Sequence, residues 1–130
     1  MRILDTDTCV EILRGNTRVI DHRRELDDTV TTTWVTASEL YYGAAKSTNP
    51  YAGKIRVDGF LGSLEILGMA HFSAQLFGII KAQLETGGNR LADADLWIAA
   101  ITRRFRAILV TGNLRHYERI ESLQTENWMR

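Results

Sequence analysis

Short apolar runs and longer segments with helical spacing alternate along the chain. The short runs are rich in apolar or β-branched residues and predict β-strands. They begin with Ile3 and Leu4 and continue at residues 31–36, 65–69 and 107–111, with a last edge strand within 121–130. The intervening segments repeat apolar residues every three or four positions and predict helices. This alternation predicts an α/β fold, a single domain over residues 1–130, with a central, mostly parallel sheet flanked by helices on both faces.

Capping patterns and helix breakers predict where the helices begin and end. Thr8 with Glu11, and Thr36 with Glu39, have the spacing of a capping box, so helices are predicted to start near residues 8 and 36. Pro50, the only proline, opens another helical segment. The remaining predicted helices cover residues 19–26, 72–84 and 93–105.

Composition narrows the classes of function. Apolar residues make up 45% and charged residues 25%, which is typical of a globular domain. The formal net charge is zero, so a strong sequence-independent grip on nucleic acid is not indicated. Residues 96–130 nevertheless hold six of the 16 basic residues and three of the 16 acidic ones. This uneven balance suits either an anionic substrate or an ordinary solvated surface.

The chain lacks the features of disulfide-rich, secreted and membrane proteins. Cys9 is the only cysteine, which excludes an internal disulfide and a cysteine-rich zinc site. No apolar run approaches the roughly 18 residues of a membrane span. Asp5 and Asp7 interrupt the N-terminal stretch, so no signal peptide is visible. We expect a cytoplasmic protein without membrane contact.

Acidic residues stand where several predicted strands and helices meet. Asp5 ends the first strand, Glu39 follows the second strand, and Asp93 and Asp95 begin the helix before the strand at 107–111. All of these places can face the carboxyl edge of one parallel sheet, where ligands bind in open α/β folds. Clustered carboxylates suit Mg²⁺ or Mn²⁺.

A structural explanation exists for each acid. Acidic residues are favoured in the first turn of any helix, so Glu39 and Asp93 can simply be capping residues. Asp5 fits this explanation less well, because a carboxylate at the end of a buried strand is costly unless it is paired or ligated. The three histidines, His22, His71 and His116, are isolated in the sequence and are predicted to be surface or packing residues.

Four stretches, in order and at suitable spacing, resemble the successive motifs of PIN-domain ribonucleases. They are Leu4-Asp5-Thr6-Asp7, Ser38-Glu39-Leu40 with Gly43-Ala44, Asp95-Leu96-Trp97-Ile98-Ala99-Ala100, and Leu109-Val110-Thr111-Gly112-Asn113. More narrowly, the chain resembles VapC toxins of bacterial toxin–antitoxin pairs. Residues 113–120 and 125–128 are similar to the branch that cleaves initiator tRNA. The resemblance covers essentially the whole chain.

The resemblance implies a metal-dependent endoribonuclease that cleaves tRNA and blocks translation. It implies that Asp5, Glu39 and Asp95 are the catalytic acids and bind Mg²⁺ or Mn²⁺. The secondary site candidates are Thr6, Asp7, Asp93, Thr111 and Asn113, and Arg115 is a candidate RNA contact. Asn113 stands where many PIN domains carry a fourth acid. The implied partners are an RNA substrate, a VapB-type antitoxin and a second copy of the chain.

Two other classes of function compete with this interpretation. A receiver-like signalling domain is also a small α/β domain, but that family has adjacent acids after the first strand and a lysine near the last; this chain has Asp5-Thr6-Asp7 and no lysine after Lys81. A non-catalytic protein-binding domain is the second alternative. Apolar residues such as Val19, Ile55, Phe60 and Leu61 could form a groove for an antitoxin helix or pack in the core.

Overall fold

Strands and helices alternate through residues 1–130, all of which the computed structural model describes. The strands are β1 (Arg2–Leu4), β2 (Val30–Thr33), β3 (Glu65–Leu67), β4 (Ile108–Val110) and β5 (Gln124–Glu126). The helices are α1 (Thr6–Leu13), α2 (Thr17–Glu25), α3 (Trp34–Ala45), α4 (Pro50–Leu61), α5 (His71–Thr86), α6 (Asp93–Arg104) and α7 (Leu114–Tyr117).

The five strands form one sheet in the order β3-β2-β1-β4-β5, and every neighbouring pair is parallel. In the central strand β1, Ile3 pairs with Thr31 of β2 and with Leu109 of β4. The chain order therefore reverses at β1, between β2 on one side and β4 on the other. Crevices outside the carboxyl ends of strands at such a reversal are the usual ligand sites of open α/β sheets.

Alternating side chains of the central strands divide the core into two layers. Ile3 and Leu109 point to a cluster with α5 and α6, whereas Leu4 and Val110 point to a cluster with the helices α1 to α4. Successive residues of a strand face opposite sides of the sheet, so each strand contributes to both layers. The predicted α/β fold, with a parallel sheet covered on both faces, is confirmed.

Three of the four residues of strand β2 are fully buried threonines. Thr31, Thr32 and Thr33 have no exposed surface. A buried hydroxyl is costly without a partner, and here the Thr32 hydroxyl donates to the carbonyl of Leu4 at 2.8 Å. The β-branched residues therefore serve both strand formation and the polar pairing between β1 and β2.

Two helices begin earlier than their capping patterns predicted. Asp5 caps α1 by accepting from the Thr6 backbone N–H, so α1 starts at Thr6 rather than near residue 8. The Thr8 hydroxyl donates instead to the carbonyl of Val110. Thr33 caps α3, which starts at Trp34, and Glu39 consequently lies in the second helical turn.

The apolar residues considered for a groove are mostly in the core. Val19, Phe60 and Leu61 are buried, whereas Ile55 is half exposed. Their core-packing explanation therefore holds for three of the four. No helix in the structure is long and apolar enough to cross a membrane.

Candidate active site

Asp5 is the buried centre of the carboxyl edge of the sheet. Asp5 follows β1 directly, and only 4% of its surface is exposed. Its Oδ1 accepts from the Thr6 backbone N–H at 2.8 Å, and its Oδ2 accepts from the Thr111 hydroxyl at 2.8 Å. Thr111 follows β4, the neighbour of β1. The two central strands thus hold the Asp5 carboxylate from both sides.

Tyr117 connects Asp5 with Asp95 through its buried hydroxyl. The hydroxyl oxygen lies 3.2 Å from Asp5 Oδ2 and 3.2 Å from Asp95 Oδ1. A phenol carries one proton, so Tyr117 can donate to only one of these carboxylates at a time. Tyr117 belongs to α7, a single turn whose length is too short to show helical spacing, and sequence patterns did not identify it.

Thr6 links Asp5 with Glu39 on the other side. Its backbone N–H binds Asp5, while its hydroxyl donates to Glu39 Oε1 at 2.8 Å and lies 3.1 Å from the Thr36 hydroxyl. Glu39, Asp5 and Asp95 therefore form a row at the carboxyl edge, joined through Thr6 and Tyr117. We refer to these three carboxylates as the acid row.

Asp7 holds the loop after β4 against α1. Its Oδ1 accepts from the Thr8 backbone N–H at 2.7 Å, and its Oδ2 accepts from the Gly112 backbone N–H at 2.8 Å. A Cβ at position 112 would lie 2.9 Å from Asp7 Oδ2 and would also contact the terminal carbon of Met129, so a larger residue here would displace these side chains. Asp7 thereby fixes the loop that positions Thr111.

The acid row carries negative charge without a basic partner at its centre. Neither Asp5 nor Glu39 has a lysine or arginine within 4 Å, and Asp95 has only the Nδ1 of His116 at 3.8 Å. Burial, with a smaller contribution from the charges of Asp7 and Asp95, raises the pKa of Asp5 to about 6, against the lowering effect of the hydrogen bonds from Thr111 and Thr6. Burial and the charges of Asp5 and Asp95 raise the pKa of Tyr117, which keeps it a neutral donor.

The donor types in the acid row fit a hard divalent cation. Carboxylate and hydroxyl oxygens are the groups that Mg²⁺ prefers, and an uncompensated buried carboxylate favours a positive ligand. No three His, Cys, Asp or Glu side chains converge into a ready-made metal shell. Joint metal binding by Asp5, Glu39 and Asp95 therefore stays a prediction, with Thr6 and Tyr117 as the groups that hold the acids near one another.

The other candidates have separate surroundings. Asp93 is exposed and forms an ion pair with Lys81 at 3.1 Å, and it contacts no member of the acid row. Asn113 is exposed, and its backbone N–H donates to the Thr111 hydroxyl at 3.0 Å. His116, expected to be an ordinary surface or packing residue, lies beside Asp95. This neighbourhood could not be found from spacing, because the two residues are far apart in the chain.

Two cavities flank the acid row. On the Asp95 side, a cavity of about 340 Å³ is bordered by Arg90, Arg115, His116 and Arg119, and we call it the Asp95 cleft. On the Glu39 side, a cavity of about 390 Å³ lies between α1, α3 and α4, and we call it the Glu39 groove. Its lining includes the apolar residues Val10, Leu13, Leu40, Ala44 and Val57.

Comparison with known proteins decides the family. The PIN domain model matches residues 2–122. The chain belongs to the PIN-domain family. Among curated PIN-type relatives, Ribonuclease VapC2 of Haemophilus influenzae is 43% identical over 95 residues, covering 73% of this chain and 72% of the relative. The tRNA(fMet)-specific endonuclease VapC of Salmonella typhimurium is 33% identical over 127 residues, covering 97% and 96%. The chain is thus a PIN protein of the VapC ribonuclease group.

Solved structures of this PIN group share the whole fold. The crystal structure of VapBC2 from Rickettsia felis bound to a promoter DNA fragment matches with a TM-score of 0.92 and 28% identity, covering 98% of both chains. The DNA-bound VapBC structure from Salmonella typhimurium matches with a TM-score of 0.92 and 30% identity, covering 98% and 97%. The predicted family resemblance is confirmed.

Proposed function

We propose that this PIN-domain protein is the toxin of a VapBC-type pair, a Mg²⁺- or Mn²⁺-dependent endoribonuclease that cleaves tRNA, with initiator tRNA as the favoured substrate. The observation that carries the proposal is the acid row: a buried Asp5 without an ion pair, flanked by Glu39 and Asp95 at the reversal point of the sheet. The tRNA assignment rests on the tRNA(fMet)-specific endonuclease VapC of Salmonella typhimurium, to which this chain is similar over 97% of its length.

The chain's own residues would position the reaction. Asp5, Glu39 and Asp95 would hold the divalent ion, which when bound lowers the pKa of water and offsets charge on the phosphate. Thr111 and Tyr117 orient Asp5, and Thr6 orients Glu39, so the carboxylates cannot turn freely. Groups that hydrogen-bond to metal-binding side chains commonly fix the orientation of those side chains. An RNA phosphodiester that lies across this edge would be placed beside all three carboxylates.

Two single substitutions at the start of α6, compared with each other, test the proposal. Asp95→Asn should reduce Mg²⁺-dependent cleavage of tRNA by more than about a hundredfold, because it removes one proposed ligand and its charge. Asp93→Asn, two residues away and paired with Lys81, is the matched control and should cleave at the parental rate. Circular dichroism should show the same fold for all three proteins.

The outcomes separate the alternatives. Equal loss in both variants would point to a general effect on the start of α6. Parental cleavage by Asp95→Asn would reject the assignment of the acid row. A parent protein that cleaves no RNA with either metal would favour the non-catalytic protein-binding domain.

We further propose that a VapB-type antitoxin binds the Glu39 groove. The two structural neighbours are VapBC complexes, and the groove here offers apolar walls between three helices, a surface that suits an amphipathic helix. It borders Glu39, so a bound segment would reach one end of the acid row.

Homodimerisation and cytoplasmic location stay predictions, and size-exclusion chromatography with light scattering tests the former.

A further inference from the structure

The Asp95 cleft joins the acid row to a group of arginines. Arg90 comes from the α5–α6 connection, while Arg115 and Arg119 come from α7 and the turn after it. Asp95 is the only carboxylate that lines this cavity. The cleft therefore presents positive charge directly beside one proposed catalytic acid.

The short helix α7 ties these arginines to the acids. Tyr117 is buried and contacts Asp5 and Asp95, whereas Arg115 and Arg119 are exposed. Arg115 lies in α7 and Arg119 in the turn that follows it, and both arginines line the same cavity. One segment thus directs a phenol inward to the acids and two guanidinium groups outward to the cleft.

The cleft arginines are free of the ion pairs that occupy arginines elsewhere. None of Arg90, Arg115 and Arg119 has a carboxylate within 4 Å or a side-chain hydrogen bond. Arg2, by contrast, binds Asp28 at 2.7 Å and Glu126 at 3.2 Å. A guanidinium group without a partner is suited to bidentate contact with phosphate.

We propose that the Asp95 cleft binds the phosphates of the RNA strand on one side of the cleaved bond, with Arg115 and Arg119 as its main contacts. This rests on the proposed nuclease function and adds a direction to it. The strand leaves the acid row past Asp95, not past Glu39. Arg90 is secondary because it also borders a neighbouring cavity that contains Glu85 and Asp93.

The chain offers a matched control for the two main arginines. Arg103 and Arg104 end α6 and line a different cavity, together with Arg106, which precedes β4 at the amino edge of the sheet. No carboxylate lines that cavity, and neither arginine has an ion pair. Arg103→Gln with Arg104→Gln therefore makes the same change in charge at the opposite edge from the acid row.

The test measures RNA binding separately from cleavage. Asp5→Asn serves as the background, because it blocks the proposed chemistry and leaves the cleft intact. Fluorescence anisotropy with labelled initiator tRNA measures the affinity in Mg²⁺ over a series of salt concentrations. Three proteins are compared: Asp5→Asn alone, Asp5→Asn with Arg115→Gln/Arg119→Gln, and Asp5→Asn with Arg103→Gln/Arg104→Gln. In the cleavage-competent chain, the same pairs are compared by KM and kcat.

The Arg115→Gln/Arg119→Gln pair, here called the cleft pair, should weaken tRNA binding roughly tenfold. It should also flatten the slope of log K against log salt by about 1 to 2, because each lost phosphate contact reduces this slope by about 0.7 to 0.9. KM should rise with kcat changed less than about twofold, and the control pair should match the background. Equal effects of both pairs would show that the cleft arginines act only through the overall charge of the protein, and this result would overturn the proposal. An unchanged salt slope in the cleft pair would also overturn it. Absence of cleavage in the parent would instead reject the nuclease function, while the anisotropy result still reports on the cleft.

Discussion

The two sides of the acid row have cavities of similar size and opposite chemistry. The Asp95 cleft, about 340 Å³, is bordered by three unpaired arginines and a histidine. The Glu39 groove, about 390 Å³, has apolar walls from three helices, and its Arg56 donates to the carbonyl of Leu13. One side therefore offers free cations to an anionic ligand, and the other offers apolar surface with its cations partly engaged.

The difference follows from how each side is built. The groove lies between α1, α3 and α4, and α3 packs against α4 so closely that a Cβ at Gly53 would lie 3.1 Å from the Cβ of Ala44. Helices that pack in this way leave apolar residues along their junction. The cleft is built largely from the α5–α6 connection and from α7, and its arginines occupy exposed positions of these segments. The acid row thus has one side suited to a protein segment and one suited to nucleic acid.

Removing the phenol that connects Asp5 with Asp95 should have the largest effect on this arrangement. Tyr117→Phe should lower cleavage at limiting Mg²⁺ by about 10- to 100-fold, because groups that orient metal ligands commonly contribute this much. The half-saturating Mg²⁺ concentration should rise in a metal titration of activity. Tyr42→Phe, at an exposed tyrosine of α3, is the control. A Tyr117→Phe enzyme with parental metal dependence would show that the phenol does not position the acids.

Filling the Glu39 groove should separate partner binding from RNA cleavage. Ala52→Arg places a long side chain on the exposed lining of the groove. We expect roughly tenfold weaker binding of the VapB-type antitoxin, because this side chain would occupy part of the volume that a docked helix needs. Cleavage of tRNA without antitoxin should stay within about twofold of parent. Calorimetric titration gives the affinity, and Ala82→Arg on the exposed side of α5 is the control. Unchanged affinity at Ala52→Arg would place the antitoxin elsewhere.

Acidification should stabilise the metal-free protein through Asp5. The folded pKa of about 6 lies above the ordinary value of 3.8, so the folded state binds more protons than the unfolded chain between these values. The ionised Asp5 therefore costs stability above pH 6, and this cost is relieved as pH falls toward 4. From pH 7 to pH 5, the parent should gain about 1 kcal/mol relative to Asp5→Asn. Urea unfolding of both proteins in chelator measures the difference; a constant gap across this range would contradict the raised pKa.

Sequence patterns were sufficient for the sheet and for the acids that end or follow its strands. Ile3 and Leu4 before Asp5 indicate a buried strand that ends in a carboxylate, and the structure places Asp5 there. Local periodicity carries this information because strand and helix spacing are properties of neighbouring residues. The boundaries shifted where Asp5 and Thr33, rather than Thr8 and Thr36, supplied the caps.

The connections among the site residues were not accessible from sequence. Tyr117 contacts Asp5 across a separation of 112 residues, and Asp7 binds Gly112 across 105. Such contacts depend on how β1 and β4 are brought side by side, and no local pattern encodes them. The α7 turn is too short to show periodicity, so its division into an inward tyrosine and outward arginines emerges only in three dimensions. Asp93 and Asp95 stand two residues apart in the sequence, but in the structure Asp93 pairs with Lys81, whereas Asp95 contacts Tyr117 and His116.

Thermal melting with and without metal tests most directly whether the three carboxylates act together. In chelator, Asp95→Asn should melt above the parent, because it removes a charge that opposes ionised Asp5. Millimolar Mg²⁺ should raise the Tm of the parent and of Asp93→Asn alike, and raise that of Asp95→Asn much less, since an ion that binds only the folded state stabilises it. Equal Mg²⁺ shifts in all three proteins would contradict a shared site for Asp5, Glu39 and Asp95.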